Sequence, residues 1–257
     1  MKRLENKNIV LTGASSGIGQ ALLKHLSVHE GVKVIAVARN IKNIVASESV
    51  FPFSADLSTH EGVDKLFAYA KDKFGIIDLF IANAGFAYIE EMEAADWTHL
   101  DKIYSLNTTS VIYSLLKLND QSKNAPVHFV CTISAVAFIP LHAYALYCSS
   151  KAALHQFIEG YRQEKKDNLA ITAIYPIATK TSFFDHASGE NDTPTPWPQQ
   201  DVEVVARKII RGIEKRQKRV YPSLLFRIFY PIGRTFPLFI SLYTLLEKRK
   251  TKQWLRK

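Results

Sequence analysis

Cysteine is scarce in this chain of 257 residues: there are two, Cys131 and Cys148. They form no Cys-x2-Cys pair and join no cysteine–histidine cluster at metal-ligand spacing, so neither a zinc site nor a disulfide framework is expected. Lone thiols fit a reducing, cytoplasmic compartment. Long apolar runs are also missing. The longest uncharged run in the C-terminal region, residues 235–246, has twelve residues, too few to cross a bilayer as a helix. The N-terminal "MKRLENKNIVLTG" has no apolar core ahead of a small-residue cleavage site, so no secretory leader is expected. Acidic residues nearly vanish from the last fifth. Residues 207–257 hold fifteen Lys/Arg against Glu214 and Glu247, a local +13, whereas residues 1–206 carry −4. That asymmetry points to an anionic partner surface. No RNA- or DNA-binding motif accompanies it, and nucleic acid is not expected as a partner.

What is present is an alternation of strand and helix patterns. Hydrophobic residues make up 47% of the chain, enough for one large core. Apolar runs predict strands at Ile9 to Leu11 and in "VKVIAVAR", "VFPFSAD", "IDLFIANAG", "PVHFVCTIS" and "LAITAIYP", with "RVYP" as a short last strand. Between them lie helical patterns: Ile18, Leu22, Leu23 and Leu26, then "GVDKLFAYAKDKFG". Residues 96–119 read as one long helix with Leu100, Ile103, Leu106, Ile112, Leu115 and Leu116 inward. A further helix runs from "YALYCSSK" to about residue 166, and "DVEVVARKIIRGIEKRQKR" is another. This order predicts an α/β fold, a single-domain doubly wound parallel sheet with helices on both faces. Residues 1–222 form that domain, with a polar loop over 182–200 as a lid, and residues 223–257 form a basic helical extension. The polar clusters follow strand ends: residues 12–19, Arg39, Asp56, residues 83–85, Ser134 and residues 176–181. In such sheets ligands bind at that edge.

"TGASSGIG" places Gly13, Gly17 and Gly19 between a strand and a helix. Gly13 permits a tight turn, Gly17 lets the backbone approach a pyrophosphate, and Gly19 lets the helix pack on the sheet. The helix start offers free N–H groups and a positive dipole end. The second strand ends with Ala38 and Arg39 where an NAD site carries a carboxylate. A guanidinium forks onto a 2′-phosphate, so the residues favour NADP(H), with Ser15, Ser16 and Asn40 able to add hydrogen bonds.

Tyr144, Tyr147 and Lys151 fall on one helical face. Tyr147 stands thirteen residues after Ser134, and Asn107 lies in the helix before that strand. With the glycine loop and the Asn-Ala-Gly turn at residues 83–85, this set resembles the short-chain dehydrogenase/reductase family over residues 7–181, with a looser echo to residue 222. The resemblance implies a Rossmann fold and a catalytic set of Asn107, Ser134, Tyr147 and Lys151. Tyr147 is then the general acid in reduction and general base in oxidation. Lys151 lowers its pKa and holds the nicotinamide ribose. Ser134 bonds the substrate oxygen, and Asn107 holds a water that relays protons to Lys151. The implied cofactor contacts are Gly13, Ser15, Ser16, Gly17, Ile18, Gly19, Arg39, Asp56, Leu57, Asn83, Ala84, Gly85, Tyr147, Lys151, Pro176, Thr179 and Thr181. Two positions depart from the family pattern: Ala82 replaces the first Asn of Asn-Asn-Ala-Gly, and Ile177 replaces the Gly after Pro176. Tyr144 either lines the substrate pocket or packs, and Cys148 is a packing residue.

The expected activity is interconversion of a ketone and a secondary alcohol, on a small-molecule carbonyl or alcohol of apolar or lipid-like character. The alternatives are a non-catalytic dinucleotide sensor or scaffold, and an epimerase or dehydratase on the same fold. The first usually loses Tyr or Lys, and the second has different glycine spacing. A homodimer or homotetramer is expected. The extension is open to two readings: helices packed over the pocket or a dimer partner, or an apolar face in a membrane interface with the basic tail on anionic lipid. The corresponding locations are cytoplasmic, and peripheral at the inner face of a membrane.

Overall fold

Apolar residues along the first strand alternate between two cores. In the computed structural model, which describes residues 4–188 and 193–256, β1 (Asn8–Thr12) sends Ile9 and Leu11 to one face and Val10 to the other. A strand covered on both sides must be apolar on both, which is why "IVL" is unbroken. Around β1 assemble α1 (Gly17–Leu26), β2 (Lys33–Ala38), β3 (Val50–Ser54), α2 (His60–Phe74) and β4 (Leu79–Ala82). Then come α3 (Trp97–Tyr104), α4 (Ser110–Gln121), β5 (Val127–Thr132), α5 (Ala145–Glu164) and β6 (Leu169–Ile174). The chain continues through α6 (Phe183–Ser188), α7 (Val202–Glu214), β7 (Arg219–Val220), α8 (Leu224–Thr235) and α9 (Pro237–Leu255).

Among the described residues the sheet has seven strands in the order β3-β2-β1-β4-β5-β6-β7, and every pairing is parallel. The doubly wound sheet expected from the sequence is therefore present. The chain reverses its direction of travel between β1 and β4, opening a crevice at their carboxyl ends. Pro52 is tolerated in β3 because that strand lies at the edge. One face is packed by Phe67, Phe80 and Phe129, stacked at centroid separations of 5.4 and 5.5 Å. The other is packed by Leu22 and Leu26 of α1 and by Ile209 and Ile213 of α7.

Three details differ from expectation. The helix foreseen over residues 96–119 is broken by a π-helical turn at Ser105–Thr109, where Ser110 N–H reaches back to Ser105 O. The extra residue rotates everything after it by about 100° relative to a continuous α-helix. Leu116, expected inward, is consequently exposed. The stretch 182–200, expected as a loop, begins with the short helix α6, and its residues 189–192 lie outside the described residues.

Candidate active site

The loop after β1 is built for close approach. Gly13 and Gly17 have φ of +67° and +53°, values that favour glycine. A Cβ at Gly19 would lie 1.9 Å from Gly13 O, and one at Gly13 would lie 2.9 Å from Ala84 Cα. Side chains cap the N-termini of α2, α3, α7 and α8 through Thr59, Asp96, Asp201 and Ser223. The N-cap of α1, Ser16, makes no such bond. The first N–H groups of α1 are thus left for an anion, beside a cradle that any Cβ would fill.

Arg39, Asp56 and Leu57 line the same cleft further along the edge. Asp56 Oδ1 accepts from the backbone N–H of Ser58 (3.0 Å) and from its hydroxyl (2.7 Å). These bonds, and then the charge of Arg39, hold the carboxyl below the ordinary carboxylate range. Asn40 does not line the cleft; its side-chain carbonyl accepts from Lys42 N–H at 3.0 Å in a local turn.

Asn83 ties three strand ends together. Thr12 Oγ1 accepts from the N–H groups of Asn83 (2.9 Å) and Ala84 (3.0 Å). Asn83 Nδ2 donates to Thr12 O at 3.2 Å, and Asn83 Oδ1 accepts from Thr132 Oγ1 at 3.1 Å. Thr12, which opens the glycine motif, and Thr132, which no motif includes, are supporting residues whose partners the sequence does not reveal. Each is a lone hydroxyl at a strand end.

The side chains expected to form the catalytic set come from three elements. Ser134 follows β5, where its hydroxyl accepts from Val136 N–H at 3.3 Å and donates to Pro176 O at 3.4 Å. Tyr147 and Lys151 lie one turn apart on α5, and both line the cleft with Ser134. Lys151 is buried, and its Nζ donates to Thr132 O at 3.0 Å. Burial pulls its pKa down to about 8. Burial pushes the Tyr147 phenol well above its ordinary range, and the hydrogen bond with Ser134 only partly offsets this. Burial is thus the largest influence on the Tyr147 phenol and acts in the direction opposite to the lowering expected from Lys151.

Asn107 sits, fully buried, in the π-helical turn. Its Nδ2 donates to Phe86 O (2.8 Å) and Ser150 Oγ (3.1 Å), and its Oδ1 accepts from Phe86 N–H (3.0 Å). Both amide protons are spent, which leaves Oδ1 as the only side-chain atom with capacity for a water. Gly85 makes room for this group. A Cβ there would lie 3.0 Å from Asn107 Oδ1 and 3.3 Å from Lys151 Nζ.

Pro176, Thr179 and Thr181 also reach the cleft. Thr181 lies over the glycine loop, its Cγ2 3.3 Å from where a Gly17 Cβ would sit. Ile177 takes the family's glycine position without a positive φ, so no left-handed residue is needed there. Tyr144 is buried against Phe184 and lines the cleft, with no hydrogen-bond partner for its hydroxyl among the described residues. Cys148 is buried in the small cluster that includes Ala87 and Ile89, as a packing residue.

The cleft has a volume of about 1030 Å³. Beyond Tyr147 it is walled by Phe183, Trp197, Phe226, Phe229, Tyr230 and Tyr243. Four of these belong to α8 and α9, so the C-terminal helices complete the pocket. They are tied to the segment before α7 where Glu247 Oε1 accepts from Trp197 N–H (3.2 Å) and Lys250 Nζ donates to Thr195 O (2.6 Å).

Comparison with known proteins agrees with this geometry. Residues 7–192 match the family described as short chain dehydrogenase. An uncharacterized oxidoreductase of Staphylococcus saprophyticus is 28% identical over 224 residues, covering 82% of this chain and 87% of the relative. Among solved structures, a short chain dehydrogenase from Burkholderia cenocepacia in complex with NADP superposes with a TM-score of 0.80 at 22% identity, covering 95% of this chain and 99% of the other. A short chain dehydrogenase/reductase from Burkholderia phymatum in complex with NAD gives 0.78 at 17% identity, covering 91% and 95%. With the family match spanning well over half its length, this chain belongs to the short chain dehydrogenase family.

Proposed function

We propose that this protein is an NADP(H)-dependent oxidoreductase that interconverts a ketone and a secondary alcohol on an apolar, lipid-like substrate. One observation carries the reading: Ser134, Tyr147 and Lys151 open into a cleft whose one end is the glycine loop with Arg39 and whose other end is aromatic. The glycine cradle and the uncapped start of α1 fit a pyrophosphate. The two Burkholderia neighbours, complexed with NADP and NAD, support a nicotinamide dinucleotide. Arg39, in place of a carboxylate, favours the 2′-phosphate. When bound, such a cofactor supplies or accepts the hydride at the substrate carbon.

The chain's own residues handle the proton and the charge. In reduction, the Tyr147 hydroxyl donates its proton to the carbonyl oxygen as negative charge builds there. Burial keeps the phenol protonated, which suits this direction. Ser134 donates a hydrogen bond to the same oxygen and supports the developing charge. Lys151, on the next turn, supplies a cation that stabilises the phenolate left behind. Asn107 and Gly85 hold the loop against which Lys151 rests. In oxidation each transfer reverses. The retained Tyr147–Lys151 pair favours an enzyme over a dinucleotide-binding scaffold.

The test is a carbonyl panel, from short ketones to long-chain ketones and steroids, followed by loss of NADPH absorbance. Turnover should rise with apolar size. NADPH binding without turnover of any carbonyl, or of any alcohol in reverse, would leave the scaffold reading in its place.

A further inference from the structure

Nineteen large apolar side chains are exposed among the described residues, and twelve of them lie in α8, in α9 or at Phe236 between the two. They are ordered, not scattered. On α8, Leu224, Ile228 and Ile232 recur at one-turn spacing, while Phe226, Tyr230 and Gly233 face inward. On α9, Leu238, Leu242, Leu245 and Leu246 point away from the protein, while Glu247 and Thr251 are buried against it. The inner faces are thus occupied and the outer faces bare. Exposed cations adjoin the bare face: Arg227 and Arg234 on α8, and Lys248 and Arg249 in the C-terminal half of α9, directly after its exposed leucines. No helix among the described residues is long and apolar enough to cross a membrane.

We infer that the outer face of α8 and α9 docks on an anionic bilayer surface, lying in the interface with its leucines and phenylalanines among the acyl chains and its cations among the headgroups. An apolar face adjoined by cations has the chemistry of an interfacial helix. A second copy of the chain fits less well, because an isologous pair would bring the same cations against themselves. The face is also continuous with the cleft. Leu225, Phe229, Ile232 and Phe239 are exposed and line the cavity that reaches Tyr147. A lipid-like carbonyl can then pass from the acyl layer to the reactive residues without crossing water. This last step rests on the proposed function; the docking itself does not.

The test uses the full chain and flotation with vesicles. Phosphatidylglycerol vesicles should carry the protein at low salt, phosphatidylcholine vesicles should carry less, and high salt should weaken the anionic binding. Lys248→Gln and Arg249→Gln should each lower partitioning by about fivefold. The pair Leu242→Asp with Leu246→Asp should abolish flotation while leaving the circular dichroism spectrum unchanged. None of these positions lines the cleft, so turnover of a water-soluble ketone should persist, while turnover of a long-chain methyl ketone dissolved in the vesicles should be lost. Docking is overturned if the wild-type chain stays in the aqueous fraction, or if the aspartate pair floats as well as wild type. It is equally overturned if sedimentation without vesicles shows a dimer that the aspartate pair dissociates, which would make a second copy the occupant. Vesicle binding without turnover of any carbonyl would sink the oxidoreductase reading and leave the docking intact.

Discussion

Asn107 grips Phe86 at both backbone groups: Nδ2 donates to its carbonyl at 2.8 Å and Oδ1 accepts from its N–H at 3.0 Å. The π-helical turn presents Asn107 to the loop after β4, and that loop in turn brings Gly85 beside Lys151. Replacing Asn107 with Ala leaves Phe86 N–H and Phe86 O without these partners in a half-buried place, while the Ser150 hydroxyl loses one donor and keeps its bond to Tyr147 O. Unpaired groups of this kind cost about 3 kcal/mol together. Thermal unfolding should shift down by roughly 6–12 °C, and kcat should fall as Lys151 loses its support.

Tyr147→Phe removes the transferable proton and little else. Turnover should drop by about 10²–10⁴-fold. NADPH affinity, read by fluorescence titration, should stay near wild type, since the glycine loop and Arg39 are untouched. Wild-type turnover in this variant would remove Tyr147 from the chemistry.

Arg39→Asp places a carboxylate where the 2′-phosphate is proposed to sit. NADPH should bind about tenfold to a hundredfold more weakly, the equivalent of one charged hydrogen bond. NADH should gain in relative use. The ratio of kcat/KM for the two cofactors reads this directly, and an unchanged ratio would exclude Arg39 from cofactor selection.

His128 sets a limit on acid stability. It is buried, its Nε2 lies 2.8 Å from Thr172 Oγ1, and that hydroxyl donates to Gln217 O at 2.7 Å. Burial, then the charge of Arg216, pulls its pKa from 6.5 down to about 4. The unfolded chain therefore binds this proton first as pH falls. The stability linked to the neutral ring is complete above pH 6.5 and is lost between 6.5 and about 4, for a total of roughly 3 kcal/mol. Urea unfolding across that range should show the slope in wild type. His128→Gln should flatten it; an undiminished slope would assign the loss to other groups.

Much of the site was legible because its signals are local. The glycine loop declares itself by spacing between a strand and a helix. Tyr147 and Lys151 are one turn apart on any helix that contains them, and Ser134 follows an apolar strand. Asn107 was legible as a residue but not as a clamp, because its partners Phe86 and Ser150 are remote in sequence. The exposure of Leu116 shows the same limit: a 3.6-residue count cannot foresee the π turn that resets its phase. The Thr12–Asn83–Thr132 link was invisible for a related reason, since single hydroxyls carry no pattern until strands meet.

By itself, then, the sequence determined the α/β alternation, the parallel sheet and the edge where ligands bind, because each follows from hydrophobic period, turn residues and the handedness of connections. Tertiary structure alone decided how deeply the site is buried and the shape of its far wall. Whether a phenol is held up by desolvation or drawn down by a cation depends on how much water the fold excludes around Tyr147 and Lys151. Whether α8 and α9 close the pocket depends on contacts such as Glu247 with Trp197, fifty residues apart. Periodicity reports what a segment buries; it does not report against what.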